Sequence, residues 1–286
     1  MTDNTLHRLR RLIGIELEKL RSRRMTWTLL LIYAVLTAAI PWMFYVAGRY
    51  GEADDGASRQ SSSAYLERVS FPGAFEGSLG SVLSFGLPLI MILSAAAFGG
   101  EFAWGTLRLL LIRGEARREY VITKLAAIYL VWLLAAAIGI AIGLVSATIV
   151  AMVGDLPGPA HAGDVDLPVF LGHVAASVVG GWVYIGMTSL ATLRHRSTAF
   201  GIAFGLIIFF FDRIATEAAF ATSLRPLEIV GKAGLNYNLR SLTGGAGDSA
   251  NPLPIAIFAL LAFLAGSIAA SLRQLDKQDV TISGVG

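Results

Sequence analysis

The sequence contains no cysteine and little charge. The absence of Cys from its 286 residues excludes disulfides, thiol catalysis and cysteine-based metal sites. Only 15% of the residues are charged, against about 25% in ordinary soluble domains. Because 55% of the residues are hydrophobic, the composition is typical of a protein that crosses a membrane several times.

The sequence also lacks the common motifs of nucleotide-binding and metal-dependent enzymes. The stretch nearest to a phosphate-binding loop, Gly231-Lys232-Ala233, has neither the upstream glycine nor the hydroxyl residue that such a loop needs. There is no His-Glu-x-x-His and no Gly-x-Ser-x-Gly, and the four histidines are scattered along the chain. We therefore expect no catalytic residue, no metal site and no cofactor bound by this chain.

Six apolar runs predict an all-α membrane protein with six spans. The predicted spans are residues 26–47, 77–98, 121–153, 169–193, 198–211 and 253–272. Residues 1–24 place leucine and isoleucine at spacings of three and four among basic residues, which predicts an amphipathic helix in the membrane interface. Such a helix either anchors the chain or also connects it to a partner. Residues 25–272 form the transmembrane domain, and residues 273–286 form a tail.

The distribution of basic residues predicts the orientation in the plasma membrane. If the N-terminus is cytoplasmic, the inner segments hold 16 of the 23 Lys and Arg residues and the outer segments hold seven. Lys and Arg are retained on the cytoplasmic side during insertion, so both termini are expected there. This retention also accounts for the basic pI without a nucleic-acid partner. The only partner that the composition itself implies is membrane lipid, which surrounds the apolar spans.

The fifth apolar run is short for a membrane span. It covers the 14 residues from Thr198 to Phe211, or about 21 Å of helix against about 30 Å of hydrocarbon. Asp212 and Arg213 follow directly. One interpretation is a re-entrant outer segment between spans five and six, with short helices that begin near Ile214. The alternative is that both charged side chains extend to the headgroups.

A basic stretch between spans two and three predicts a structured cytoplasmic loop. It begins at Glu101, continues through Gly105 and Thr106, and contains five basic residues as far as Lys124, at the start of span three. Thr106 can cap a short helix over residues 107–113, and Gly114 can end that helix in a left-handed conformation. The predicted helix lies along the membrane surface, where a soluble partner can reach it.

This stretch resembles the loop between spans two and three of ABC-2 type transporter permeases. The shared order is a glutamate, three residues, Gly-Thr, a leucine-rich turn, a small residue, an arginine and then a lysine, although Gly114 and Ala116 replace a common Pro and Ser. In that family the loop forms a coupling helix that docks on an ATPase subunit. The resemblance assigns this coupling role to Glu101, Gly105, Thr106, Arg108, Arg113, Arg117 and Arg118.

The resemblance further implies an ATP-driven transporter, usually an exporter. Two permease protomers, identical or related, would work with two copies of a P-loop ATPase, which carries the ATP and Mg. The substrate path would lie between protomers, with Phe200, Phe204, Phe211, Asp212 and Arg213 as candidate residues. Packing within the chain's own core is the alternative role for the three phenylalanines.

Two further alternatives stay open at this point. Glu101 is either a latch that pairs with Arg108, Arg117 or Arg118, or an ordinary interfacial carboxylate. The absence of charged residues from the middle of the predicted spans argues against a proton-coupled transporter, which usually needs them. A secondary transporter or channel that works without an ATPase nevertheless remains the rival function.

Overall fold

The computed structural model describes residues 3–51, 56–105, 117–221, 229, 231–243 and 251–277, and every regular element in those ranges is helical. The helices are α1 (Asp3–Ser22), α2 (Arg24–Tyr50), α3 (Gly56–Glu67), α4 (Gly73–Ala103), α5 (Arg117–Gly154), α6 (Leu167–His195), α7 (Thr198–Ala221), α8 (Leu235–Leu242) and α9 (Leu253–Lys277). A 3₁₀ turn at Pro159–Asp164 joins α5 to α6.

Six of the described helices are long and apolar enough to cross a membrane. Their spanning segments are Arg24–Tyr50, Gly73–Ala103, Arg118–Gly154, Leu167–His195, Thr198–Ala218 and Leu253–Gln274. Their number and order match the six predicted spans. The shorter helices α1, α3 and α8 stand outside this set.

Helix α6 is the centre of the bundle. It packs against α4, α7 and α9, and its inner face is rich in small residues that allow close approach. Trp132 of α5 is almost fully buried and donates its indole N–H to the Ser177 carbonyl of α6 at 3.1 Å. Ser94 of α4 and Ser189 of α6 share a hydrogen bond of 2.8 Å. The core is therefore apolar but contains polar bridges between helices.

Helix α1 packs on the protein itself. Its apolar residues Ile13, Leu17 and Leu20 join the core, and the helix lies against the first part of α5. An amphipathic helix was predicted at this position from the spacing of the same residues. The location of α1 in the membrane interface stays a prediction, because the contacts described here are between α1 and other helices of the chain and not with lipid.

Helix α4 changes its winding in the middle and then ends at a glycine turn. Residues Val82–Gly86 form a π-helical turn, a feature that often marks functional positions in helices. After Ala103 the chain leaves the helix through Gly105, whose φ of 66° is left-handed and suits glycine. Residues 106–116 follow, and the predicted coupling helix lies there, outside the described residues.

The fifth span corrects one prediction. Helix α7 does not end at Phe211 with the apolar run but continues through Asp212 and Arg213 to Ala221, so no separate helix begins at Ile214. The two charged residues do not end the helix because both side chains have polar partners inside the bundle. Further on, α8 packs against α6, α7 and α9. The predicted re-entry of the segment between α7 and α9 into the bilayer stays a prediction.

Candidate functional site: a buried charge cluster

Four charged side chains meet where α1, α4 and α5 come together. They are Glu16 and Lys19 of α1, Glu101 of α4 and Lys124 of α5, and we call them the buried charge cluster. Glu16 is 8% exposed, Glu101 4% and Lys124 1%. Acidic and basic side chains are almost never this buried unless they are paired. Their partners therefore determine whether this arrangement is stable.

Lys124 lies at the centre of the cluster. Its ammonium donates to the Glu101 carboxylate, lies 3.3 Å from Glu16 Oε2, and donates to the Ala97 carbonyl at 3.2 Å. Three oxygens thus surround the three N–H bonds of the ammonium group. The rings of Tyr120 and Phe98 lie 5.0 and 5.5 Å from Nζ, which adds cation–π attraction. This lysine is satisfied without water.

The four charges alternate in sign around a closed ring. Lys19 Nζ lies 2.5 Å from Glu16 Oε1 and 3.7 Å from Glu101 Oε1, while Lys124 pairs with the same two glutamates. Glu101 Oε2 also accepts a hydrogen bond of 2.6 Å from the Tyr120 hydroxyl. With two acids and two bases, the formal charge of the ring is zero. Each charge is thus compensated by two neighbours of opposite sign.

Two further contacts connect the N-terminal region to the same part of the bundle. Arg8 of α1 lies 3.0 Å from Glu119 Oε2 at the start of α5. Arg23, between α1 and α2, donates to the Ala96 carbonyl of α4 at 3.1 Å and lies over the Trp104 ring. The N-terminal region therefore contacts both helices that flank residues 106–116.

Local sequence explains how the cluster forms. Glu16 is one turn from Ile13 and Leu20, so it lies on the apolar side of α1 and is buried with that side. In α5, Tyr120 and Lys124 are four residues apart and point to one face, toward the end of α4. The ring is therefore completed only when the three helices pack together.

The ring holds three helices together at one end of the bundle. Removing one member of a buried ion pair leaves an uncompensated charge and typically costs about 3 to 5 kcal/mol. A displacement that separated α4 from α5 would have the same effect on Glu101 and Lys124. We conclude that this arrangement favours movement of α1, α4 and α5 as one body.

The structure places only part of the predicted coupling group. Glu101 is in the cluster, Gly105 forms the left-handed turn, and Arg118 is exposed at the start of α5. Thr106, Arg108, Arg113 and the side chain of Arg117 lie outside the described residues. The predicted pairs of Glu101 with arginines thus remain predictions. The partners in the cluster, Lys124, Lys19 and Tyr120, were not identified from the sequence.

A second polar group surrounds Asp212, in the second half of α7. Asp212 accepts hydrogen bonds from the backbone N–H of Leu235 and Asn236, at 3.0 and 2.6 Å, and from the Tyr184 hydroxyl at 3.1 Å. A Cβ on Gly234 would lie 2.4 Å from Asp212 Oδ1, so any other residue at this position would displace the carboxylate. Asp212 thereby fixes the first turn of α8, where a carboxylate also suits the helix dipole.

The three phenylalanines predicted for the substrate path lie on the outside of α7. Phe200 is 40% exposed, Phe204 36% and Phe211 68%, whereas Phe209 is 5% exposed and fills the core. Phe200 and Phe204 stack with ring centroids 6.0 Å apart. These three rings therefore do not form the core of the chain. Their role in a substrate path stays a prediction.

Comparison with known proteins identifies the family. The family model described as ABC-2 family transporter protein matches residues 12–212, which include the whole buried charge cluster. A search of curated proteins found no match. A family match over more than half of the chain agrees with the six spanning helices. The chain therefore belongs to the ABC-2 transporter family and is a membrane component of transport.

Proposed function

We propose that the chain is the permease subunit of an ATP-driven exporter in the plasma membrane. Two protomers, both with cytoplasmic termini, would work with two copies of a separate P-loop ATPase that binds the ATP and Mg. The observation that carries this proposal is the buried charge cluster, which ties together the two helices on either side of residues 106–116. The family match supports the permease role.

The position of the cluster suits a transmission site. Residues 106–116 connect the end of α4 to the start of α5. A partner that moves this segment therefore applies force to both helices. Glu101 lies two residues before the end of α4, and Lys124 lies in the second turn of α5. Because these two residues are bonded, a push on the segment displaces both helices together.

Helix α1 moves together with α4 and α5 in this proposal. Glu16 and Lys19 complete the ring, and Ile13 and Leu17 pack on the core beside it. The helix therefore acts as a brace that resists tilting of α4 relative to α5. In this proposal the N-terminal helix is a mechanical part of the permease as well as a membrane anchor.

The π turn of α4 provides a place where the movement can change direction. Gly86, at the end of this turn, is 15 residues before Glu101, or about 22 Å along the helix. A π turn interrupts the regular hydrogen bonds and allows a helix to bend. A displacement at the cluster would thus reach the far half of the bundle through this turn.

Purification with and without the ATPase tests the proposal. We expect the isolated chain to hydrolyse no ATP and a tagged chain to co-purify with a P-loop subunit that does. Glu101→Gln should leave this complex assembled but reduce its ATPase rate in liposomes at least threefold, because force transmission is weakened. Glu18→Gln, an exposed acid of the same helix as Glu16, is the matched control and should change neither property.

Two outcomes would reject the proposal. Robust ATPase activity of the isolated chain would contradict the need for a partner. Transport by the isolated chain in liposomes, driven by an ion gradient, would instead establish the rival function of a secondary transporter or channel.

A further inference from the structure

We propose that the far half of each protomer contains a binding site for an anionic amphiphile, a molecule with a phosphate or carboxylate group on an apolar chain. The site is a cavity of about 220 Å³ between α4, α6, α7 and α8. This proposal goes beyond the transport function above, since it concerns binding within one protomer and holds with or without an ATPase.

The cavity lies far from the buried charge cluster. A Cβ on Gly99 would lie 2.7 Å from Thr198 Cα, so the start of α7 is level with the end of α4 that carries Glu101. Arg213, which lines the cavity, is 15 residues further along α7, or about 22 Å. The cavity therefore occupies the half of the bundle opposite to the N-terminal helix.

Arg213 supplies a cation that has no carboxylate partner in the part of the chain that the structure describes. Among the described residues its guanidinium has one hydrogen-bond partner, the Ser84 hydroxyl at 3.3 Å, and forms no ion pair. The adjacent Asp212 is directed to Tyr184 and α8 instead. A guanidinium inside a membrane domain normally pairs with an anion or faces a polar cavity. Its position predicts that the missing anion comes from a ligand.

The other arginine at the cavity is already paired. Arg240 donates to Glu217, whose side chain is 58% exposed at the surface. The charge of Arg240 is thus compensated by Glu217, whereas no carboxylate in the described ranges pairs with Arg213. Among the described lining residues, Arg213 is therefore the cation available to a ligand.

Two further polar groups lining the cavity have unused hydrogen-bonding capacity. Asn236 Nδ2 is buried and has no hydrogen-bond partner among the described residues, although it can donate two bonds. The His173 Nδ1–H donates to the Val169 carbonyl at 3.0 Å, which leaves Nε2 unbonded in that part of the chain. A buried donor without a partner is destabilising, and a bound oxyanion would accept its hydrogen bond. Arg213 and Asn236 together therefore favour an anion.

The rest of the lining is apolar and explains why the ligand should be an amphiphile. Leu83 and Leu87 of α4, Phe209 of α7 and Leu239 of α8 form the apolar part of the wall. Drug-sized ligands occupy cavities of about 300 to 1,000 Å³, so this cavity holds a headgroup and the first part of a chain. A phosphate or carboxylate at Arg213 with its chain along these residues matches both parts of the lining.

Binding of dodecyl phosphate to the purified full chain in a neutral detergent tests this proposal. We expect saturable binding of dodecyl phosphate and at least tenfold weaker binding of dodecyltrimethylammonium, which has the same chain and opposite charge. Arg213→Gln should weaken binding of dodecyl phosphate at least tenfold. Arg49→Gln, which removes an exposed arginine at the end of α2, should change it less than twofold.

A second variant tests the site even if Arg213→Gln fails to fold. Ser84→Asp places a carboxylate beside the Arg213 guanidinium, where it can pair internally and take the place of the ligand. We expect this variant to retain the melting temperature of the unmodified chain and to lose binding of dodecyl phosphate. Unchanged binding in this folded variant, or equal binding of the two dodecyl compounds, would overturn the proposal.

Measurement of the lipids that remain bound to the purified chain distinguishes two sources of the anion, a membrane lipid and a transported or free amphiphile. If a membrane lipid is the ligand, the unmodified chain should retain at least threefold more anionic phospholipid than Arg213→Gln, as measured by mass spectrometry. If a transported or free amphiphile is the ligand, the two should retain equal lipid while only the unmodified chain binds dodecyl phosphate. Both results support the site, whereas equal lipid together with equal dodecyl phosphate binding contradicts it.

Discussion

Lys124 donates a hydrogen bond to Glu101 although the two residues are 23 positions apart and lie on different helices. The segment between them is the one that the family resemblance assigns to the ATPase. The ion pair thus closes the base of the loop that a partner would contact. Because Glu16 and Lys19 bond to the same two residues, the closure also includes the N-terminal helix.

The first prediction is that Glu101 and Lys124 are energetically coupled. Glu101→Gln and Lys124→Met should each lower the free energy of unfolding by about 3 kcal/mol, because each leaves buried charge uncompensated. The double variant should be less destabilised than the sum of the two by about 0.5 to 3 kcal/mol. Unfolding in detergent, followed for all four proteins, measures this coupling. Strictly additive effects would show that the two side chains do not support each other.

The second prediction is that Glu16 holds α1 on the bundle. Glu16→Gln should increase hydrogen exchange of the α1 amides, because Lys19 and Lys124 then lose one of their carboxylate partners. Glu18→Gln changes the same charge on the exposed side of the helix and should leave exchange unaltered. Equal exchange in the two variants would mean that apolar contacts alone hold this helix.

Much of the helical framework could be predicted because it depends on local pattern. Apolar runs of sufficient length identify spans in sequence order, and the spacing of Ile13, Leu17 and Leu20 identifies the amphipathic α1. The position of Glu101 at the end of the second span was also visible. These features need no information about which helices are neighbours.

The ring of charges could not be predicted because its members come from three separate helices. One signal was present: Glu16 falls within the apolar stripe of α1, which indicates a buried partner, but not which one. The end of α7 was misplaced for the same reason. Asp212 and Arg213 interrupt the apolar run, but Tyr184 and Ser84, far away in sequence, each provide one of them with a polar contact inside the bundle.

The third prediction concerns Asp212 as the support of α8. Asp212→Asn removes the charge from the hydrogen bonds to Leu235 and Asn236, and such charged bonds contribute about 1.5 to 3 kcal/mol each. We expect faster hydrogen exchange across α8 and a lower melting temperature. Tyr184→Phe, which loses one bond, should have a smaller effect in the same direction. Unchanged exchange in Asp212→Asn would show that packing alone positions α8.

The fourth prediction is that both termini are cytoplasmic, as the 16 to 7 division of basic residues indicates. Single cysteines introduced into this cysteine-free chain at Ser61 or Asp164 should react with membrane-impermeant reagents from the outside. A terminal tag should be cleaved by protease only after the membrane is opened. Labelling of either cysteine only after permeabilisation would reject the six-span model with these two loops outside.

The fifth prediction is that the basic residues of the coupling segment attach the ATPase and do not support the fold. Arg113→Glu with Arg117→Glu should weaken the complex at least tenfold, since each reversal replaces attraction by repulsion at the edge of the contact. The contacts among Glu16, Lys19, Glu101 and Lys124 are kept in this variant, so we expect insertion and the melting temperature to be unaltered. Arg49→Glu, at the far end of α2, makes one such reversal away from the segment and should not affect assembly. If the double reversal changes only yield or topology and the complex assembles normally, the basic residues serve membrane insertion alone, and the docking surface must lie elsewhere on the chain.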